Sequence, residues 1–263
     1  MQKYGQHFLV NSGIIEKIID AVLPLTKNAS LIEIGPGRGA LTLKLIERGL
    51  TNFNVVEIDP QMVKHLQATP EIQNAGVVIT ENNFMDFDPA SLGAGPFVFL
   101  SNLPYIDAAD ILDKVLNLEN SAGAVFMFQR EQAQRVSAKK GSDFYGPLSL
   151  TSQARANIKS LTRVSRGSFN PPPKVESEVL IFTATAPHKL NKDEYKYFET
   201  TVKAAFAYKR KNILNSLSEY LKKDKEEIKK AVLSCNINPL ARAQELTETD
   251  YISLAKNLSK MVN

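Results

Sequence analysis

The chain has 263 residues, of which 43% are hydrophobic and 23% are charged, so its composition is that of a globular protein and excludes disordered and fibrous classes. A single cysteine, Cys235, excludes an internal disulfide bond and a four-cysteine zinc site, and three widely separated histidines argue against a metal site. Because residues 1–8 lack a signal-peptide pattern and no run of 18 apolar residues exists, we expect a reduced, soluble, cytoplasmic protein.

The net charge of +4 is distributed unevenly along the chain. Residues 1–129 contain 8 Lys and Arg against 14 Asp and Glu, whereas residues 130–174 contain 9 against 2 and residues 187–263 contain 15 against 10. An acidic half followed by a basic half predicts a polyanionic partner that contacts one side of the molecule. An ordinary solvated surface is the alternative that charge alone leaves open.

Short apolar runs alternate with helical patterns over the first 130 residues. This alternation predicts an α/β fold with a mostly parallel sheet that is covered by helices on both faces. The predicted strands are 30–35, 54–59, 77–80, 97–102 and 124–129, and the predicted helices are 14–22, 41–48, 60–68 and 108–118. Two later predicted strands, 159–165 and 175–184, have no helix between them, so we expect an antiparallel edge pair.

The pattern changes near residue 186 and is helical beyond it. We therefore predict an α/β domain at 1–186 and a small all-helical domain at 187–263. The N-caps of the last two helices are expected at Asp224 and Thr247. The predicted helices of this second domain are 194–207, 211–221, 225–234 and 248–260.

A glycine-rich turn, Glu-Ile-Gly-Pro-Gly-Arg-Gly at 33–39, follows the first main strand. Its spacing lacks the third glycine of a dinucleotide fingerprint, since that position is Ala40, and it favours a nucleoside ligand without a pyrophosphate, such as S-adenosylmethionine. Glu57 ends the next strand 22 residues after Gly35, where a carboxylate can accept hydrogen bonds from both ribose hydroxyls. The alternative is a glycine turn beside a solvated strand-end acid.

The fourth strand is followed by the tetrapeptide Asn-Leu-Pro-Tyr at 102–105. The side-chain oxygen of Asn102 and the carbonyl oxygen of Leu103 can accept both hydrogens of an adenine amino group, which favours a more nucleophilic nitrogen. Pro104 stiffens this loop, and Tyr105 offers a ring for stacking, worth about 1–3 kcal/mol per base. The pattern predicts methyl transfer by positioning, without a metal or strong base. A proline turn with a packed tyrosine is the alternative.

A second aromatic residue, Phe169, precedes a stiff run of three prolines at 171–173. Such a segment can hold Phe169 at a fixed place, where its ring would cover the face of the base opposite Tyr105. A core phenylalanine beside a rigid connector is the alternative.

These motifs together resemble those of the rRNA adenine N6,N6-dimethyltransferases, a family that includes the bacterial KsgA/RsmA type, its eukaryotic 18S relatives and the Erm resistance methylases. The basic helical tail favours the small-subunit type over the Erm type. The resemblance covers nearly the whole chain and rests on residues 4–9, 33–37 with 41–42, 57–59, 102–105, 129 with 131, 145–149, 169–175, 206, 210–211 and 215–217.

The resemblance implies a Rossmann-like class I methyltransferase domain that uses S-adenosyl-L-methionine. It implies dimethylation of two adjacent adenosines in a hairpin near the 3′ end of 16S rRNA, within an immature 30S particle. We also expect the enzyme to be a monomer. The resemblance also implies an N-terminal segment that closes over the cofactor. The cofactor contacts that we expect from the pattern and the resemblance together are His7, Leu9, Gly35, Gly37, Glu57, Ile58, Asn83, Phe84 and Asn102.

The basic stretches would then contact the phosphates of the RNA. The residues expected in this role are Arg130, Arg135, Lys139, Lys140, Arg155, Lys209, Arg210 and Lys211.

The chain departs from the family pattern at two places. The family usually has Gly-Asp-Ala after the third strand, where this chain has Asn82-Asn83-Phe84, and Asn83 would bind the cofactor's adenine amine more weakly than an aspartate. The family's Asn-Ile-Ser-Thr is replaced by Ile106-Asp107-Ala108-Ala109, in which we interpret Asp107 as a helix N-cap. The alternatives that remain are Erm-like methylation of 23S rRNA and a ribosome assembly factor that binds RNA with weakened catalysis.

Overall fold

The computed structural model describes residues 7–184 and 190–259. The predicted domain boundary near residue 186 and the Tyr4-Gly5-Gln6 part of the first motif lie outside this range. The chain divides into two compact units, one of residues 1–133 with 156–184 and the other of residues 134–155 with 185–263. No helix in the described ranges is long and apolar enough to cross a membrane.

Strands and helices alternate through the first unit, in agreement with the sequence pattern. The strands are β1 (Phe8–Leu9), β2 (Ser30–Ile34), β3 (Asn54–Glu57), β4 (Val78–Glu81), β5 (Phe97–Asn102), β6 (Ser121–Gln129), β7 (Ala156–Val164), β8 (Phe169–Asn170) and β9 (Ser177–Ala184). The helices are α1 (Ser12–Val22), α2 (Ala40–Glu47), α3 (Pro60–Gln67), α4 (Pro70–Asn74), α5 (Ala108–Asn117) and α6 (Arg130–Ser137), the last of which continues into the second unit.

Seven strands form one sheet in the order β4-β3-β2-β5-β6-β9-β7. The five strands from β4 to β6 are parallel, and β9 runs antiparallel to both of its neighbours. The predicted mostly parallel sheet with an antiparallel edge is therefore confirmed. Parallel alignment brings the carboxyl ends of β2, β3 and β5 to one edge of the sheet, which is the edge where α/β proteins bind ligands.

The central strands form because their side chains are apolar on both faces. Residues 97–101 of β5 and 123–128 of β6 are all buried, as expected for strands between two helical layers. Side-chain caps fix where the helices begin: Asn11 accepts a hydrogen bond from the Ile14 amide, and Asp59 accepts one from the Gln61 amide.

A two-stranded sheet pairs the N-terminal segment with the segment before the prolines. The pair is antiparallel, with Phe8 opposite Asn170 and Leu9 opposite Phe169. The amide of Val10 extends the contact by donating to the Ser168 carbonyl at 2.9 Å. The sequence did not predict β1 or β8, because a two-residue strand has no recognisable period.

The second unit is helical and has its own apolar core. Its helices are α7 (Pro147–Arg155), α8 (Lys192–Phe206), α9 (Ile213–Leu221), α10 (Lys225–Ser234) and α11 (Glu248–Ser259). The expected caps are confirmed: the Asp224 carboxylate accepts from the amides of Glu226 and Glu227, and the Thr247 hydroxyl accepts from the Asp250 amide.

Residues 134–155 belong to this helical unit, although the sequence placed them in the first domain. Leu150 and Ala154 of α7 are buried in the same cluster as Phe198 of α8. The Tyr145 hydroxyl donates to the Leu246 carbonyl at 3.0 Å, and burial raises the pKa of Tyr145 to about 12. The predicted boundary near residue 186 marks the point where the sequence pattern becomes purely helical. The compact unit of the structure also includes residues 134–155, because α7 packs in the core of the helical unit.

Candidate active site

Two of the three glycines in the turn after β2 serve different structural purposes. Gly35 has a φ of +62°, and a Cβ added there would meet no atom within 4 Å, so its backbone faces open space. Gly37 has a φ of +57°, and an added Cβ would lie 3.1 Å from the Phe8 ring. Gly35 therefore gives a ligand access to the backbone, whereas Gly37 makes room for the N-terminal segment.

The carboxylate of Glu57 is buried and held at the end of β3. One oxygen accepts from the Gly37 amide and the other from the Asp59 amide, each at 2.9 Å. Burial raises the pKa of Glu57, and these amide contacts oppose that rise. Each carboxylate oxygen has a further lone pair, so Glu57 can accept hydrogen bonds from ligand hydroxyls without leaving its place.

A second carboxylate, Glu33, lies within β2 and is 1% exposed. It accepts a hydrogen bond from the Thr42 hydroxyl at 2.6 Å, and burial raises its pKa to about 8. In the sequence, Glu33 was noted as the acidic residue two positions before Gly35. Its burial and its raised pKa depend on the covering elements, which a motif does not reveal.

The loop that follows β4 contains the exposed residue Asn83. The side-chain oxygen of Asn83 accepts from the Met85 amide at 3.0 Å, which fixes the orientation of its amide group. Phe84 is buried with its ring edge-on to Phe99, at a centroid distance of 6.0 Å. Ile58, which follows Glu57, is an apolar side chain with 43% exposure.

Asn102 lies at the end of β5, and its side-chain nitrogen donates to the His7 carbonyl at 3.2 Å. Because this contact uses the nitrogen, the side-chain oxygen of Asn102 remains available as an acceptor. The backbone that follows is anchored, since the Leu103 amide donates to the Met127 carbonyl at 3.1 Å and the Leu103 side chain is buried. Tyr105 is half-buried, and burial raises its pKa while the neighbouring Ser177 hydroxyl lowers it.

The N-terminal segment contacts the glycine turn, the loop after β5 and the proline-rich segment. A ring nitrogen of His7, Nδ1, lies 2.8 Å from the Pro171 carbonyl oxygen, and the His7 and Tyr105 ring centroids are 5.9 Å apart. The Arg38 guanidinium lies 4.4 Å from the centroid of the Phe8 ring. Physical reasoning from sequence missed this role of residues 7–9, and only the family resemblance implied it.

Phe169 is 2% exposed and belongs to the core cluster that contains Leu9. In this conformation its ring offers almost no surface to a base. Its role as a stacking partner therefore stays a prediction, and so do the cofactor contact expected of the 5%-exposed Leu9 and the loop-stiffening role of the exposed Pro104.

Several of the expected RNA-binding side chains contact other groups within the protein. Arg130 pairs with Glu176 at 2.6 Å, the Arg155 guanidinium lies 3.6 Å from the Tyr195 ring centroid, and Lys211 pairs with Glu219. The other members of the predicted set are exposed, namely Arg135, Lys139, Lys140, Lys209 and Arg210.

A family model described as ribosomal RNA adenine dimethylase matches residues 1–260. The chain belongs to this family. Proteins named ribosomal RNA small subunit methyltransferase A are similar to it: one from Aromatoleum aromaticum is 36% identical over 98% of this chain and 94% of its own length. One from Parabacteroides distasonis is 39% identical over 84% of this chain and 81% of its own length.

Two solved structures share the fold of this chain. A dimethyladenosine transferase from Plasmodium falciparum superposes with a TM-score of 0.81 at 24% identity, covering 97% of this chain and 98% of its own. The 23S rRNA methyltransferase ErmE superposes with a TM-score of 0.73 at 23% identity. The superposition covers 96% of this chain and 99% of the ErmE chain. As a member of the rRNA adenine dimethylase family, the chain is an S-adenosylmethionine-dependent rRNA adenine dimethyltransferase.

The residues at the sheet edge fit the cofactor of this dimethylase. The open space at Gly35 admits a ligand to the backbone, and the amide-held carboxylate of Glu57 matches a ribose diol. The exposed apolar Ile58 and the polar Asn83 suit the face and the amino group of an adenine. The site thus offers a carboxylate for the ribose of S-adenosylmethionine and both apolar and polar groups for its adenine.

The departure after the catalytic tetrapeptide differs from our expectation in one detail. Asp107 occupies the N-cap position of α5, as predicted, but within the described residues its side chain makes no capping hydrogen bond. The helix begins instead with the Ile111 amide donating to the Asp107 carbonyl at 2.9 Å. The preceding Ile106 is 93% exposed, so an apolar side chain and an exposed carboxylate lie beside Tyr105.

Proposed function

We propose that this dimethylase acts, as a monomer, on two adjacent adenosines in a hairpin near the 3′ end of 16S rRNA within an immature 30S particle. The names of its relatives, small subunit methyltransferase A, support this choice of subunit. The observation that carries the chemistry is the fixed amide of Asn102, whose nitrogen is bound to the His7 carbonyl and whose oxygen remains available.

The cofactor site is assigned to the edge formed by β2, β3 and β4. Glu57 accepts hydrogen bonds from the ribose hydroxyls, and the Asn83 oxygen accepts one from the adenine amine. Ile58 supplies apolar surface, and the buried Phe84 ring packs against Phe99 beneath the same loop. Gly35 and Gly37 shape the turn, with Gly37 keeping His7 and Leu9 close through the Phe8 contact. S-adenosylmethionine, when bound, supplies a methyl group that a neutral nitrogen can attack.

The target adenine is held by the loop after β5. The Asn102 oxygen and the Leu103 carbonyl accept its two amino hydrogens, which draws the nitrogen lone pair out of the ring and toward the methyl group. Tyr105 stacks on the base, and Pro104 limits movement of the loop. The protein contributes by fixed position, because the amide of Asn102 is oriented before the substrate arrives.

Two further parts of the proposal concern the base and the RNA. Phe169 stacks on the opposite face of the adenine, which requires the β1–β8 pair to shift because Phe169 and Leu9 are both buried. The exposed Lys139, Lys140, Lys209 and Arg210 contact phosphates, together with Arg135. Arg130, Arg155 and Lys211 contribute after exchanging their internal contacts for RNA.

The test uses radiolabelled S-adenosylmethionine with unmethylated 30S and 50S particles. We expect label in 30S particles alone, recovered as dimethyladenosine, with two adjacent modified positions in a primer-extension map. Label in 50S particles would support Erm-like methylation of 23S rRNA instead. Binding to 30S particles without transfer would support an assembly factor, and monomethyladenosine alone would indicate that residues 106–109 limit the second transfer.

A further inference from the structure

The ammonium group of Lys114 is surrounded by backbone carbonyls of a single loop. Its Nζ lies 2.7 Å from the Phe84 carbonyl oxygen, 2.8 Å from that of Met85 and 2.6 Å from that of Phe87. It also lies 5.1 Å from the centroid of the Phe84 ring. An ammonium group has three donors and no acceptor, so all three donors of Lys114 are used by this loop.

The loop held by Lys114 is the one that contains Asn83. Three carbonyls that converge on one point repel each other unless a cation lies between them, so the ammonium keeps the turn at 84–87 closed. The same turn presents the Met85 amide to the Asn83 oxygen at 3.0 Å and keeps the Phe84 ring buried. We therefore expect that loss of the ammonium would loosen this turn and, with it, the orientation of the Asn83 amide.

The position of Lys114 in α5 connects this loop with the catalytic loop. The helix begins at Ala108, directly after the segment that follows Tyr105, and Lys114 lies in its last turn. The helix α5 therefore has the loop of residues 102–105 just before its first turn, and it binds the loop that contains Asn83 through its last turn.

We propose that Lys114 is a positioning residue for the adenine of the cofactor, acting through the orientation of the Asn83 amide. With the Asn83 oxygen fixed by the Met85 amide, its remaining lone pair accepts a hydrogen bond from a 6-amino group but repels a 6-oxo group. Lys114 thereby makes the site selective for adenine over hypoxanthine. This inference rests on the proposed cofactor site and specifies how that site selects its base.

The test compares Lys114→Met with the wild type by calorimetric titration of two ligands, S-adenosylhomocysteine and its 6-oxo analogue S-inosylhomocysteine. The wild type should bind the adenine ligand at least tenfold more tightly. In Lys114→Met we expect the dissociation constant of S-adenosylhomocysteine to rise about tenfold, whereas that of the 6-oxo ligand changes less than threefold. The control is Lys64→Met, which removes an exposed lysine from α3 and should leave both constants unchanged.

Equal weakening of both ligands, or unchanged affinity for S-adenosylhomocysteine, would overturn the inference, since either result leaves Lys114 with a general structural role. A wild type that binds neither ligand, or binds both equally, would instead contradict the proposed cofactor site. If Lys114→Met does not fold, Lys114→Arg replaces it, because a planar guanidinium cannot direct three donors to the same three carbonyls. Lost selectivity in that variant supports the inference, and wild-type selectivity overturns it.

Discussion

At the scale of single residues, the sheet edge contains two buried carboxylates with different partners. Glu57 is held by two backbone amides, whereas Glu33 has a hydroxyl partner, that of Thr42. A hydroxyl compensates the loss of hydration less well than two amides, and burial raises the pKa of Glu33 to about 8. We therefore propose Glu57 as the acceptor for a ligand, and we expect Glu33 to make the stability of the fold depend on pH.

The substitution Glu33→Gln tests this sensitivity. In the wild type the unfolded chain ionises above the ordinary pKa of 4.5, while the folded chain keeps its proton up to about pH 8, so this group lowers stability as pH rises through that window. We expect the free energy of unfolding of Glu33→Gln, relative to wild type, to increase between pH 5 and pH 8 by on the order of a few kcal/mol. Urea denaturation at several pH values measures this difference.

The matched control is Glu81→Gln, which removes an exposed carboxylate from the end of β4. The difference in the free energy of unfolding between Glu81→Gln and the wild type should stay nearly constant over the same pH range. If the free energies of unfolding of Glu33→Gln and Glu81→Gln depend on pH in the same way, the proposal that Glu33 has a raised pKa is contradicted.

At the scale of elements, the structure shows which features a sequence encodes locally. The strands β2, β3 and β5, which the proposed site uses, were predicted because each contains a short apolar run that is followed by a turn or by a polar residue. The helices α6 and α7 were missed because α6 is mostly polar and α7 is rich in small residues, so neither has a clear apolar stripe. Their positions depend on packing that is distant in sequence.

The residues of the proposed site divide in the same way as the elements, because some could be predicted from local sequence and others depend on distant contacts. Gly35, Glu57 and Asn102 lie at strand ends, where position alone indicates function. The contact between Asn102 and His7 joins residues 95 positions apart, and Lys114 lies on a helix with no motif of its own. The burial of Phe169 also depends on β1, since Leu9 pairs with it.

The short strand β1 should be necessary for catalysis although it adds little to the fold. Its anchor is Phe8, which packs on Gly37 and lies under the Arg38 guanidinium. In Phe8→Ala we expect the turnover number to fall at least tenfold, since the His7 carbonyl no longer orients Asn102, while the melting temperature falls by only a few degrees because Phe8 is only partly buried.

The control for this prediction is Val10→Ala, which truncates a neighbouring side chain that is 57% exposed. Steady-state kinetics and thermal melting of both variants separate the two effects. Equal turnover in Phe8→Ala and Val10→Ala would show that β1 does not position the catalytic loop.

At the scale of the whole molecule, the charges separate by structural unit. The α/β unit carries 13 Lys and Arg against 17 Asp and Glu, whereas the helical unit carries 19 against 11. The basic residues Arg135, Lys139, Lys140 and Arg155 belong to the helical unit and add to its positive charge. RNA affinity should therefore come mainly from the helical unit and chemistry from the α/β unit.

The most direct test of this account is the substitution Asn102→Ala, measured by single-turnover methyl transfer and by binding to unmethylated 30S particles. We predict that transfer falls at least a hundredfold, because one acceptor for the adenine amine is lost, and that particle affinity changes less than threefold. The matched variant Asn117→Ala, an exposed asparagine in α5, should retain both properties. Transfer at the wild-type rate in Asn102→Ala would contradict the proposed grip on the adenine.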